Sequence, residues 1–168
     1  MSQVMTNVSG NKNLFAFFGL RIILRWVVSG ILFKALFAIF SLAVSLADIK
    51  TGMVPRLAFI FAFPLFFALG LLPPAPHPPE ESLAGALLGL LVFLLAFFIS
   101  KKKLGLADVW YSALTGLVLG PLWWYAAMCC ACAAGIIYIL VSRRRQIPFI
   151  PLMAFGSIVM CFIQKIIN

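Results

Sequence analysis

Between Glu81 and Lys101 the chain carries no charge, and only the serines at the two ends of that interval, Ser82 and Ser100, have polar side chains. A helix over Leu83 to Ser100 has no polar stripe to turn toward water, and at about 1.5 Å per residue it nearly matches the hydrocarbon thickness of a bilayer. The rest of the chain is similar: 64% of its 168 residues are hydrophobic and 10% charged, with 17 phenylalanines. One small core cannot cover that much apolar surface. Collagen-like, disordered, coiled-coil and disulfide-scaffold architectures are excluded, as is a soluble fold with a loop-built active site. At about 20 residues per crossing, the expected fold is an all-α membrane protein, a polytopic bundle of about six transmembrane helices.

The pattern divides the chain into a segment of residues 1–28 and a membrane-embedded domain of residues 29–168. Residues 14–28 are apolar but short, with Arg21 and Arg25 on one helical face, as in an amphipathic interfacial helix or an extension of the next one. With the polar start before them, they do not read as a cleavable signal peptide. Crossings are expected over Ser29 to Ala47, Pro55 to Leu72, Leu83 to Ser100, Leu106 to Leu119, Leu122 to Val141 and Ile147 to Ile167. Asp48 ends the first, Pro64 lies within the second, and a proline-rich loop from Pro73 to Ser82 precedes the third. Gly85 with Gly89, and Gly116 with Gly120, have the small-xxx-small spacing that lets helices approach closely.

The net charge of +9 would suggest nucleic acid for a soluble protein. Here the basic residues stand in short runs between apolar stretches, Lys101 to Lys103 and Arg143 to Arg145, where topology signals and anionic-lipid contacts belong. The expected partners therefore include membrane lipids and no nucleic acid. With six crossings, Lys50, Arg56 and both runs fall on one side, which the positive-inside rule places in the cytoplasm. Cys129, Cys130, Cys132 and Cys161 all lie within apolar runs; Cys129 and Cys132 form a C-x-x-C without a second pair or a partnering histidine, so neither a disulfide framework nor a metal site is expected.

Of the four acidic residues, Glu80 and Glu81 fall in the external loop. Asp48 closes the first crossing, and Asp108 lies about 7 to 8 Å inside the same boundary. Ionisable groups at such depth cost about 2.5 to 3.5 kcal/mol on insertion scales, and generally face protein or a water-filled cavity. If the first and fourth helices pack together, the two carboxyls meet and share one proton. One then draws a proton from water while the other polarises a peptide carbonyl, which is aspartic-protease chemistry without metal, cofactor or covalent nucleophile. A second reading stands beside it: each aspartate caps a helix or pairs with nearby lysines. Gly105 and Ala107 leave little bulk ahead of Asp108, and Gly105, Asp108, Ser112 and Thr115 share one small or polar helical face. Gly105, Ala107 and Ser112 are therefore candidates for lining a substrate cleft. Pro148 and Pro151 are also candidates, and fit an ordinary helix start equally well.

Three ordered segments resemble the type IV prepilin peptidase family, membrane aspartic proteases of the GxGD type. These are Asp48 to Pro55, with a basic residue and an aliphatic-Pro pair after the aspartate; Gly105 to Asp108, followed by Gly116 and Gly120; and Ile147 to Pro151, followed by Ala154, Phe155 and Gly156. The chain differs from the family pattern at Ala107, where Gly is usual, at Trp110, where a basic residue is common, and at Arg56, where Asn is usual. It also lacks the paired C-x-x-C motifs of the N-methyltransferase region found in larger members. The resemblance implies a peptidase-only form in the inner (cytoplasmic) membrane, with Asp48 and Asp108 as the catalytic pair near the cytoplasmic face. Its substrates would be prepilin or pseudopilin leader peptides, with any methylation left to another protein, and a homodimer is left open. The competing readings are a lipoprotein signal peptidase, whose active site lies toward the outer face, and a small transporter or channel component using the two aspartates for protons or cations.

Overall fold

The computed structural model describes residues 30–51, 54–71, 77–101, 104–142 and 149–167. Five helices account for the regular structure among them: α1 (Gly30–Thr51), α2 (Arg56–Leu71), α3 (Pro79–Ile99), α4 (Leu106–Ser142) and α5 (Phe149–Ile167). The expected amphipathic helix of residues 14–28 lies outside the described residues.

Helix ends follow local chemistry. α1 continues past the expected end at Asp48, because Asp48-Ile49-Lys50 contains no helix breaker, and Thr51 Oγ1 donates to the Ala47 carbonyl at 2.8 Å. α2 runs through Pro64 without interruption. α3 starts a turn earlier than Leu83: Pro78 is extended, Pro79 opens the helix where a missing N–H costs nothing, and Glu80 and Glu81 fill the first turn at the positive end of the helix dipole. α3 stops where Lys101 takes a left-handed φ of 54°, and its amide donates to the Phe98 carbonyl at 3.1 Å.

α4 is continuous in sequence but reverses in space. Gly120 has φ 75° and ψ 171°, a conformation that favours glycine. Trp124 Nε1 donates to Ser112 Oγ at 3.1 Å across a separation of 12 residues. On a straight helix those positions stand about 18 Å apart, so the side chains meet only because residues 121–142 fold back along residues 106–119. The break coincides with the Gly120-Pro121 boundary between the expected fourth and fifth crossings. By length and apolarity, Gly30–Thr51, Pro79–Ile99 and Leu106–Val141 suffice to cross a membrane, whereas α2 and α5 are shorter apolar helices. Among the described residues length alone thus gives three such helices and not the six crossings expected.

The small residues make the closest contacts. Gly85 and Gly89 of α3 lie directly on the backbone of Gly116 and Ser112 in α4, and Gly156 of α5 lies on the Ala127 carbonyl. α1 and α2 meet through aromatic edges, with Phe33, Phe37 and Phe40 each 5.8 Å from Phe66 between ring centroids. The large side chains turned outward are apolar, among them Leu95, Phe98, Leu122 and Val141, as expected where the surroundings are hydrocarbon.

One end of the bundle is closed by His77. Its Nδ1 lies 3.4 Å from Glu81 Oε2, its Nε2 lies 2.7 Å from Gln164 Nε2, and its ring lies against Gly120. A neutral ring protonated at Nδ1 donates to Glu81 and accepts from the Gln164 amide, so one side chain links the start of α3, the reversal in α4 and the end of α5. Burial holds the His77 pKa below its ordinary value; Glu81 opposes that shift and the charge of Lys34 adds to it.

Two outcomes follow from this packing. Gly116→Val places a branched side chain into the Gly85 backbone and lowers stability by about 1 to 3 kcal/mol or more, measured as thermal unfolding in detergent. A histidine with a lowered folded-state pKa takes up its proton more readily in the unfolded chain. Its contribution is therefore present above the unfolded-state value of about pH 6.5 and is lost as pH falls below it through the lowered folded-state pKa. The unfolding temperature should drop on acidification through this range, and His77→Gln should flatten the dependence.

Candidate active site

Contacts at successive levels set the register of α1 against the rest of the bundle. Near the His77 end, Lys34 Nζ donates to the Cys161 carbonyl at 3.4 Å. Two turns further along α1, the Ser41 hydroxyl lies beside that of Tyr111. After two more turns Asp48 reaches the level of Asp108, and the two carboxyl groups are close enough to interact electrostatically. The first and fourth expected crossings therefore do pack together, and both aspartates occupy the end opposite His77. Lys50 and Lys101 are exposed at the same end.

The α3–α4 turn positions Asp108. Ser100 Oγ donates to the Phe97 carbonyl at 3.0 Å and accepts from the Leu104 amide at 3.3 Å. Gly105 then stands at the N-cap of α4, where its amide donates to Asp108 Oδ2 at 3.1 Å. The Asp108 amide returns to the Gly105 carbonyl at 3.1 Å. This is the reach-back half of a capping box, with an acid at the third helical position. Asp108 is only 7% exposed, whereas Asp48 is half-buried. The capping reading is thus present in the geometry, with Gly105 on Oδ2, and Asp48 acts on the same carboxyl electrostatically.

The remaining sequence candidates divide. Gly105 is in contact with the carboxylate, and Ala107 is half-buried against the core. Ser112 takes another role from the one expected. Its hydroxyl is fully buried, donates to the Gly89 carbonyl at 3.1 Å and accepts from Trp124, so it joins α3 to both arms of α4 instead of lining a cleft. Thr115, on the same sequence face, donates to the Tyr111 carbonyl at 2.9 Å. Pro151 lies in the first turn of α5, where proline is tolerated because the first amides lack intrahelical partners. Neighbouring Phe149 stacks at 6.0 Å on Phe93, which puts that turn at the aspartate end. Pro148 lies outside the described residues. Trp110, two positions after Asp108, is 40% exposed and meets Phe63 of α2 edge-on at 6.0 Å.

Among the described residues no three His, Cys, Asp or Glu side chains gather in one place. A shallow apolar depression lined by Phe33, Phe66, Gly70 and Leu117 lies toward the His77 end, away from the carboxyls. Sequence reasoning missed the polar residues inside the bundle, Ser41, Tyr111 and Ser157, and the His77–Glu81 contact. For the latter a signal existed, since the two stand four residues apart across a helix start.

A sequence model of the type IV leader peptidase family matches residues 35–140. The chain belongs to that family. No curated protein and no solved structure matches it. The leader peptidase match takes in both aspartates, the α3–α4 turn and the reversal at Gly120, whereas Lys34 and Cys161, which also set the register of α1, lie outside it. The apolar helices fit a membrane protein, and membership places the chain among peptidases.

The Gly105 geometry has a direct test. A methyl at this position would stand 3.1 Å from Asp108 Oδ2, and alanine is a poorer N-cap than glycine. Gly105→Ala should lower stability by about 1 kcal/mol in thermal unfolding, with Asp108→Ala, which removes the reach-back acceptor, acting in the same direction.

Proposed function

We propose that the protein is a membrane aspartic endopeptidase that removes the leader of type IV prepilin-like or pseudopilin substrates, with Asp48 and Asp108 as the catalytic pair. Family membership supports the peptidase class, and the observation that supports the pair is that these two acids lie close enough to interact electrostatically at one end of a bundle that holds few others. In this reading the pair shares one proton. The ionised carboxylate takes a proton from water as the water oxygen attacks the scissile carbonyl, while the protonated partner gives its proton to the carbonyl oxygen. Collapse of the tetrahedral intermediate breaks the C–N bond: the carboxyl that took the water proton passes it to the departing amine, and its partner takes back a proton from a hydroxyl of the intermediate, which restores the shared proton. Gly105 holds one Asp108 oxygen and leaves the other for the reaction. Gly105, Ala107 and the first turn of α5, with Pro151, border the approach.

The reading places this end at the cytoplasmic face of the inner membrane. Lys50 and Lys101 lie there, and the sequence adds Arg56, Lys102, Lys103 and Arg143 to Arg145 to the same connections. A leader peptide carrying an apolar helix would enter the bilayer beside the bundle and present its scissile bond at that boundary. Six crossings, counting the two arms of α4 separately, give this orientation with both termini on the other side.

Asp108→Asn is a clean test because the carboxamide oxygen can still accept from Gly105, keeping the helix start while removing acid–base function. Co-expression with prepilin-like substrates, followed by mass measurement of the mature N-terminus, should show each of Asp48→Asn and Asp108→Asn reducing cleavage by about 100-fold or more with membrane insertion unchanged. Retained cleavage by either variant would remove the pair from the mechanism.

A further inference from the structure

Inside the bundle, behind the two carboxyls, hydroxyls from three helices converge. Tyr111 stands one turn along α4 from Asp108, Ser41 two turns along α1 from Asp48, and Thr115 and Ser157 come from α4 and α5. All four are at 0% exposure. The Tyr111 hydroxyl lies beside the other three, yet the Ser41 and Tyr111 oxygens stand at hydrogen-bonding distance and angle to no protein group among the described residues. The other two have committed their protons: Thr115 Oγ1 donates to the Tyr111 carbonyl at 2.9 Å and Ser157 Oγ to the Met153 carbonyl at 2.6 Å. The cluster therefore holds two donors without acceptors, on Ser41 and Tyr111, and two oxygens with lone pairs to offer, on Thr115 and Ser157.

A single water molecule complements that set, since it accepts two hydrogen bonds and donates two. We propose that Ser41, Tyr111, Thr115 and Ser157 bind one internal water, which accepts from Ser41 and Tyr111, donates to Thr115 and Ser157, and so joins α1, α4 and α5. Bilayer hydrocarbon around the bundle has no polar group to offer these hydroxyls, so their partner has to be carried inside. The bridge would fix the spacing of α1 and α4 just behind Asp48 and Asp108. It does not depend on the chemistry assigned to those residues.

A double-mutant cycle decides the matter, with thermal unfolding of Ser41→Ala, Tyr111→Phe and the double variant measured in lipid nanodiscs. If the two hydroxyls share a water, each single change leaves the water and the other hydroxyl short of a partner. Each should then lower Tm by about 2 to 4 °C, and the double variant by about as much as one single change. If the site is dry, each change deletes a stranded hydroxyl; Tm rises in both single variants, the gains add, and the proposal fails. A direct Ser41–Tyr111 hydrogen bond would also make the effects non-additive, so a high-resolution structure of the unmodified protein in lipid is the second measurement. A density peak within about 3 Å of both oxygens supports the bound water, and the two oxygens in direct contact with no peak between them overturn it.

Discussion

A polar group inside this bundle has no recourse to the solvent outside it, because the large side chains on the outer surface are apolar. A buried hydroxyl, indole N–H or carboxyl must find its partner inside the bundle, and that requirement explains contacts that packing alone would not. The Ser112 hydroxyl sits between the Gly89 carbonyl and the Trp124 indole, so that one serine satisfies groups on α3 and on the returning arm of α4. These bonds form only because Gly85, Gly89 and Gly116 let the backbones come close. Small residues and polar residues are thus two halves of one device: the first bring the helices together, and the second make the approach specific.

The two ends of the bundle are built differently. At the His77 end the polar groups lock elements together, with Glu81, Gln164 and the Gly120 turn gathered around one imidazole. At the other end the turn after Lys101 uses Ser100 and Gly105 to orient a carboxylate without surrounding it. Among the described residues Asp108 is tied through Oδ2 by its own helix start, and the proposed chemistry draws on its other oxygen. The proposed chemistry and the capping bond are compatible because they use different oxygens of the same group.

What could be read in advance was whatever depends on position along the chain. Long apolar intervals marked α3 and both arms of α4, Gly120-Pro121 marked the reversal, and the scarcity of acids singled out Asp48 and Asp108. What could not be read depends on azimuth around each helix and on register between helices. Ser112 shares a sequence face with Asp108, but the close approach of α3 turns it into a packing contact. Ser41 and Tyr111 look unremarkable until α1 and α4 are set side by side. The start of α3 was missed for a local reason: Pro79, Glu80 and Glu81 resemble loop residues by composition, yet proline and acids are what a helix's first turn accommodates best.

The register of α1 connects these observations. Lys34, Ser41 and Asp48 recur every seven residues, about two turns, so they form one polar line down α1, with buried Ser45 beside it. Each meets a polar counterpart, Cys161 backbone for Lys34, Tyr111 for Ser41 and Asp108 for Asp48. Rotation of α1 by a third of a turn would strand all three in hydrocarbon at once, and that shared penalty fixes its azimuth far more tightly than the Phe33, Phe37 and Phe40 edges could. The position of Asp48 relative to Asp108 is consequently set by contacts made along most of the length of α1, so the proposed site at one end of the bundle depends on residues near the other.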